Sequence, residues 1–391
     1  MLNTPFSPWP SFTQEEADAI SRVLLSNKVN YWTGSECREF EKEFAAWAGC
    51  EHAVALSNGT LALDLALKAL NVGEGDEVIT TPRTFLASAS SIVTAGANPV
   101  FADVDLNSQA ITAESIEAVL TSKTKAVIVV HLAGMPAEMD DIMALSEKHG
   151  FYVIEDCAQA HGAKYKGRSV GTIGHIGAWS FCQDKIMTTG GEGGMVTTND
   201  KALWSTMWSY KDHGKSFDAI YNRQHPPGFR WLHESFGTNW RMTEMQAVIG
   251  RIQLTKMSEW TEKRQSNAKQ IDKVTSDLNV IRTVHVPDYI EHAEYKHYLF
   301  VESEFLADGW SRDRIVDEIV AAGVPAYQGS CSEVYLEKAF DNTSWRPAER
   351  LKNAVELGEN SLMFLVHPTL TEAEVTKTTR VLRSVLLQAQ K

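Results

Sequence analysis

Between residues 151 and 199 the chain reads FYVIEDCAQAHGAKYKGRSVGTIGHIGAWSFCQDKIMTTGGEGGMVTTN. An apolar run ends in an acidic pair, Glu155 and Asp156. A second short strand is expected at Ala178–Phe181, and Lys185 follows alone in a loop. A glycine-rich turn, Gly190-Gly191-Glu192-Gly193-Gly194, then leads into a third strand, Met195–Thr198. A carboxylate at a strand end and a lysine on a later loop are what a pyridoxal phosphate (PLP) site needs. The amine forms a Schiff base with the cofactor aldehyde, and the carboxylate keeps the ring nitrogen protonated so that the ring can take up electrons.

The elements around this stretch alternate in the way such a site requires. A helix is expected to start at Thr13, where Thr13-Gln14-Glu15-Glu16 has the form of a capping box, and a second spans Glu36–Ala48. Strand Ala53–Leu56 enters the turn Ser57-Asn58-Gly59-Thr60 and then an apolar helix, Leu61–Leu70. A strand, a glycine turn and a helix start leave backbone N–H groups free for an anion, although plain β–α turns share that pattern. Strands follow at Glu77–Thr80, Pro99–Asp103, Ala126–His131 and Tyr152–Asp156. Helices Phe85–Ala95, Ala113–Leu120 and Glu138–His149 lie between them, the last closed by Gly150.

Continuous runs such as Ala126-Val127-Ile128-Val129-Val130 predict strands covered on both faces, hence an α/β fold with a mostly parallel sheet sandwiched by helices. Ligands in such sheets sit at the carboxyl ends of strands. The Ser57–Thr60 turn, the Thr84-Phe85 pair and Asp156 all fall there.

Residues 210–241 form an irregular segment that carries His213, Arg223, His225 and Arg230 within an acidic protein. Its aromatic content argues for an ordered, functional loop. A helix Thr243–Trp260 ends the first half. A charged helix Glu262–Leu278, a strand Tyr298–Val301, a helix Arg312–Ala322 and a closing helix from Thr371 follow without βαβ rhythm. The expected division is a large α/β domain over 1–260, begun by an extended and helical arm, and a smaller C-terminal α+β domain over 261–391.

Composition bounds the function. Across 391 residues, 37 Lys and Arg stand against 50 Asp and Glu, a net charge of −13 that disfavours nucleic acid as a partner. Five scattered cysteines have neither disulfide nor metal-site spacing, which fits a reducing cytoplasm and no metal. The N-terminus has no signal-peptide pattern, and no apolar run approaches the ~20 residues that span a membrane.

With these motifs assembled, the chain resembles the PLP-dependent sugar-nucleotide aminotransferases of the fold-type I (aspartate aminotransferase-like) superfamily, including the perosamine and bacillosamine types. The resemblance runs from about Phe40 to His367 and is strongest in Ser57–Leu67, Glu155–Gly162, Ser180–Asn199 and Gly237–Leu254. It implies that Lys185 is the Schiff-base lysine and the acid–base group, and that Asp156 pairs with the pyridine nitrogen. Gln159 would lie near the ring hydroxyl. Gly59, Thr60 and Ser180 would bind the phosphate, and Phe85 would stack on the ring, with an ordinary core phenylalanine as the other reading.

Asn239 matches a residue that reaches the neighbouring subunit's cofactor, which implies a homodimer with shared sites. The His213, Arg223, His225 and Arg230 loop is expected either to hold a diphosphate or to form an interface. Where many relatives carry a proline–histidine segment, this chain has Gln328-Gly329-Ser330-Cys331-Ser332. Some relatives replace the lysine with histidine and become dehydratases; Lys185 argues against that branch.

The expected activity is transfer of an amino group from L-glutamate, released as 2-oxoglutarate, to a keto group of a nucleotide-linked deoxysugar for surface polysaccharide or O-antigen biosynthesis. A UDP-linked 4-keto-6-deoxy-N-acetylhexosamine comes first and a 3-keto sugar next. A cyclitol aminotransferase and a non-catalytic PLP-binding regulator are the remaining readings. No basic helix-turn-helix segment supports the regulator.

Overall fold

The computed structural model describes residues 5–224, 227–228 and 230–391. Its centre is a seven-stranded sheet in the order His52–Leu56, Gly194–Thr198, Ile176–Ser180, Tyr152–Asp156, Thr124–Val130, Glu77–Thr80, Asn98–Phe101. All neighbours pair in parallel except Gly194–Thr198, which is antiparallel to both of its partners. Ala126 through Val129 are fully buried, as continuous β-branched strands under helices on both faces must be. Helix Gly59–Ala69 packs across one face with Ala62, Leu63, Leu65, Ala66 and Leu67 buried against Val54, Ile128, Ile154 and Val196. The α/β architecture with a mostly parallel sheet is as the sequence implies.

Local chemistry sets several boundaries. The Glu16 carboxylate accepts from the backbone N–H and the hydroxyl of Thr13, both at 2.6 Å, and starts helix Gln14–Leu25. Gly150, at φ 76°, closes helix Met139–His149 in the left-handed conformation that glycine adopts without penalty. The helix expected from Leu61 begins two residues earlier: Asn58 is its N-cap and accepts from the Leu61 N–H at 3.0 Å. Asn58 is itself a good cap, so Gly59 and Thr60 belong to the first turn rather than to the loop.

A second sheet is antiparallel throughout, in the order Ile281–Thr283, His297–Val301, Ser361–Phe364, Ala326–Tyr327. Helices Met257–Thr275, Arg312–Ala321 and Glu372–Ala389 cover it through Ile271, Ile315, Ile319, Leu382 and Leu386. The helices expected over Thr243–Trp260 and Glu262–Leu278 are Glu244–Leu254 and Met257–Thr275. The break falls at Thr255, whose hydroxyl turns back to the Ile252 carbonyl at 2.7 Å and competes with helical continuation. A division into 1–260 and 261–391 is therefore a proposal whose edge lies inside the second helix.

The 210–241 segment is less irregular than expected. It contains helix Phe217–Tyr221, started by the Ser216 hydroxyl accepting from Ala219 N–H. Its two ends are pinned at buried Asp212, whose carboxylate accepts from Lys215 at 3.1 Å and from Arg241 at 2.6 Å.

Candidate active site

A cavity of about 590 Å³ opens at the carboxyl ends of the central strands. Lys185, Asp156, Gln159, Ser180, Gly59, Thr60 and Phe85 all line it. Seven residues spread over 127 positions of sequence converge there because strand ends and helix starts of parallel βα units share one edge of the sheet.

Asp156 ends strand Tyr152–Asp156 and is buried. Its Oδ2 accepts from the Ser88 hydroxyl at 2.8 Å and its Oδ1 from the Ala158 N–H at 3.1 Å. Thr84 in turn donates to Ser88 at 2.9 Å, since the Ser88 proton is committed to the carboxylate. Burial outweighs these bonds and the more distant Lys185 and raises the Asp156 pKa above the ordinary carboxylate value. A buried carboxylate with no ion-pair partner among the described residues is costly, and a protonated ring nitrogen brought to it would relieve that cost. Sequence reasoning missed Ser88; only its position one helical turn from Thr84 hints at it.

Glu155, the other acid of the pair, faces away from the cavity. Its Oε1 accepts from the N–H groups of Ile173 and Gly174, and its Oε2 from Gly171 N–H, with His131 Nε2 at 3.0 Å. Burial works to raise its pKa, but His131 and the surrounding N–H groups bring it below the usual value. Although His131, Glu155 and Cys157 lie close together, these bonds consume the Glu155 lone pairs. The carboxylate braces the turn behind the site.

The Lys185 amine lies 3.7 Å from Asp184 Oδ1 and is mostly buried. It sits 5.4 Å from the Tyr295 ring centroid, and the Tyr295 hydroxyl donates to Asp184. The backbone carbonyl of Lys185 accepts from the Trp9 indole at 2.8 Å. Gln159 Oε1 accepts from Ala133 N–H at 2.8 Å, which fixes its amide at the cavity wall.

The first turn of helix Gly59–Ala69 presses on strand Ile176–Ser180. A Cβ on Gly59 would lie 2.4 Å from Ser180 Cβ, so only glycine permits the approach. With Thr60 and Ser180 beside it, this helix start provides N–H and hydroxyl donors suited to a phosphate. The donor set, the isolated buried carboxylate and the lysine together fit PLP.

Phe85 is 73% exposed and lines the cavity, so the reading of it as an ordinary core residue is overturned. It precedes helix Ala87–Thr94 and has no core to enter. A second cavity, of about 640 Å³, adjoins the first at Thr84, Phe85, Gln159, Asp184 and Lys185, and extends along Lys296, Tyr298, Tyr327, Gly329, Ser330 and Cys331. The segment Gln328–Ser332 thus borders it.

Among the described residues, His213, Arg223, Arg230 and Asn239 line neither cavity and all are exposed. Arg223 is paired with Asp218 at 2.6 Å and with Glu234. His225 lies outside the described residues. No helix among the described residues is long and apolar enough to cross a membrane.

A family profile described as the DegT/DnrJ/EryC1/StrS aminotransferase family matches residues 10–383. An aminotransferase of known structure from Psychrobacter cryohalolentis is 64% identical, with a TM-score of 0.97 over 98% of this chain and 100% of that one. GDP-perosamine synthase of Escherichia coli O157:H7 is 39% identical over 280 residues, 71% of this chain and 72% of that protein. A UDP-N-acetyl-3-dehydro-alpha-D-glucosamine 3-aminotransferase of Acidithiobacillus ferrooxidans is 34% identical over 98% of this chain and 96% of its own length.

Proposed function

The chain belongs to the DegT/DnrJ/EryC1/StrS aminotransferase family and is a PLP-dependent transaminase, and from that premise we propose that it moves an amino group from L-glutamate to a nucleotide-linked keto-deoxysugar. The first acceptor is a UDP-linked 4-keto-6-deoxy-N-acetylhexosamine. Similarity to GDP-perosamine synthase and to a UDP-sugar 3-aminotransferase supports nucleotide sugars as the class; the latter favours a 3-keto sugar as the second reading.

The observation that carries the proposal is that Lys185 and buried Asp156, which has no ion-pair partner among the described residues, line one cavity. Bound there, the cofactor supplies a carbonyl that receives the donor's nitrogen and a ring that disperses the electrons left when a C–H bond breaks. Lys185 would hold the cofactor through its amine and, once freed by the incoming donor amine, would move the proton between the substrate carbon and the cofactor. Asp156, steadied by Ser88, would keep a proton on the ring nitrogen. Gly59, Thr60 and Ser180 would hold the phosphate, Gln159 would meet the ring hydroxyl, and Phe85 would cover the ring face. The second cavity receives the hexose.

Exposed Asn239 and the His213, Arg223 and Arg230 loop are assigned to a second copy of the chain, as a homodimer with shared sites requires. Five free thiols fit a cytoplasmic enzyme. The test is a panel of UDP-, dTDP- and GDP-linked 3-keto and 4-keto sugars offered to the glutamate-loaded enzyme. Amination of a UDP-linked 4-keto sugar above all others is expected, and turnover of a cyclitol ketone alone would contradict the assignment.

A further inference from the structure

Two lysine amines face the ring of Tyr295: Lys185 Nζ lies 5.4 Å from its centroid and Lys296 Nζ 4.9 Å. They differ in their partners. Lys185 has Asp184 beside it. Lys296 makes no hydrogen bond or ion pair among the described residues. Asp184 acts on it only at a distance and is already shared by Lys185 and the Tyr295 hydroxyl. Burial and the like charges of Arg264 and Lys185 outweigh Asp184 and hold the Lys296 pKa down to about 8, so most of the amine is still charged at neutral pH.

Lys296 is half-buried, and an ammonium that faces a cavity without an acceptor among the described residues is open to pairing with a ligand. Lys296 lines the 640 Å³ cavity that adjoins Lys185. The cavity's own carboxylates are Asp184 and Glu337, while two further buried cations back its walls: Arg264, with two nitrogens unpartnered, and Arg83, 5.5 Å from the Tyr298 ring. The local balance favours an incoming anion.

We propose that Lys296 anchors a carboxylate of the amino-acid donor and so presents the donor's amine beside Lys185. The inference rests on the transaminase assignment and on L-glutamate as the donor. The donor's carboxylate is preferred over the acceptor's diphosphate on covalent grounds. In an amino acid the α-carboxylate is attached to the carbon that bears the reacting nitrogen, so a cation near Lys185 reaches it. In a nucleotide sugar the diphosphate is separated from C3 or C4 by the hexose ring. A neutral hexose in the same place offers the ammonium hydroxyl acceptors but no counter-charge, so the cation serves the first half of the cycle better.

The test uses the PLP-loaded enzyme and titration calorimetry with two probes: 2-oxoglutarate, which has both carboxylates of the donor, and UDP, which has the diphosphate. Lys296→Gln should weaken 2-oxoglutarate about 10-fold or more, the loss of one charge-assisted hydrogen bond, and leave UDP unchanged. Lys296→Arg, which keeps the charge, should recover part of the affinity, and thermal melting of both variants controls for folding. Unchanged 2-oxoglutarate affinity in Lys296→Gln overturns the proposal. Weakened UDP alone overturns it as well and gives the cation to the nucleotide. A wild-type enzyme that neither binds 2-oxoglutarate nor responds to L-glutamate contradicts the glutamate assignment and this anchor together.

Discussion

The Trp9 indole N–H donates to the backbone carbonyl of Lys185 at 2.8 Å, so the N-terminal arm clasps the loop that carries the lysine. The Trp9 ring meets Trp260 edge-on at 5.0 Å, stacks on His367 at 5.9 Å and lies 5.0 Å from the Arg264 guanidinium. Trp9→Phe keeps most of this packing and removes the donor. It should cost about 1 kcal/mol in thermal unfolding and lower kcat more than it changes either KM, because a looser Lys185 loop misplaces the amine rather than the substrates. Unchanged steady-state kinetics would reduce the contact to packing.

Gly59 tests the phosphate cradle. In Gly59→Ala the new methyl would lie 2.4 Å from Ser180 Cβ and 2.9 Å from Ser180 Cα, and a strand backbone cannot yield as a flexible side chain would. The helix start must move away from the strand. PLP affinity, read by fluorescence titration, should fall about 10-fold or more with circular dichroism unchanged.

Asp156 sets a pH signature. Its folded-state pKa is raised chiefly by burial, so folding favours its protonated form, and the stability this gives is lost as pH rises through that pKa. Asp156→Asn never ionises. The cofactor-free variant should therefore melt above wild type at neutral pH, with the advantage vanishing in acid, while turnover of the loaded enzyme drops about 100-fold or more. Ser88→Ala removes the bond that favours the carboxylate, so the acid limb of kcat/KM should move to higher pH.

Arg223 separates the two readings of its loop. The residue is exposed and already paired with Asp218 and Glu234, so its replacement by alanine should cost less than about 1 kcal/mol of stability. If the loop reaches a neighbouring subunit's substrate, the KM for the sugar nucleotide should rise well above that for glutamate. Equal effects on the two would remove the diphosphate role.

The sequence carried the site where chemistry depends on local pattern. The β-branched runs gave the buried parallel strands, Glu16 and Gly150 gave helix ends, and Lys185, Asp156, Gln159 and Gly59, singled out by motif and resemblance, line one cavity. Helix boundaries at 59 and 255 slipped because Asn58 and Thr255 act through their own side chains, which periodicity does not register. Trp9, Tyr295 and Lys296 were not legible at all, and Ser88 only through its spacing from Thr84. Each reaches the cavity through tertiary contacts across 68 to 176 residues or from the second sheet, and no spacing in the chain announces such a contact.

The most direct measurement is the visible absorbance spectrum of the purified protein before and after L-glutamate, with Lys185→Ala alongside. The account predicts a bound-cofactor band in the wild type that L-glutamate bleaches, and no bleaching in the variant. A wild type without any such band after incubation with PLP, or a Lys185→Ala variant that responds to glutamate as the wild type does, would contradict it.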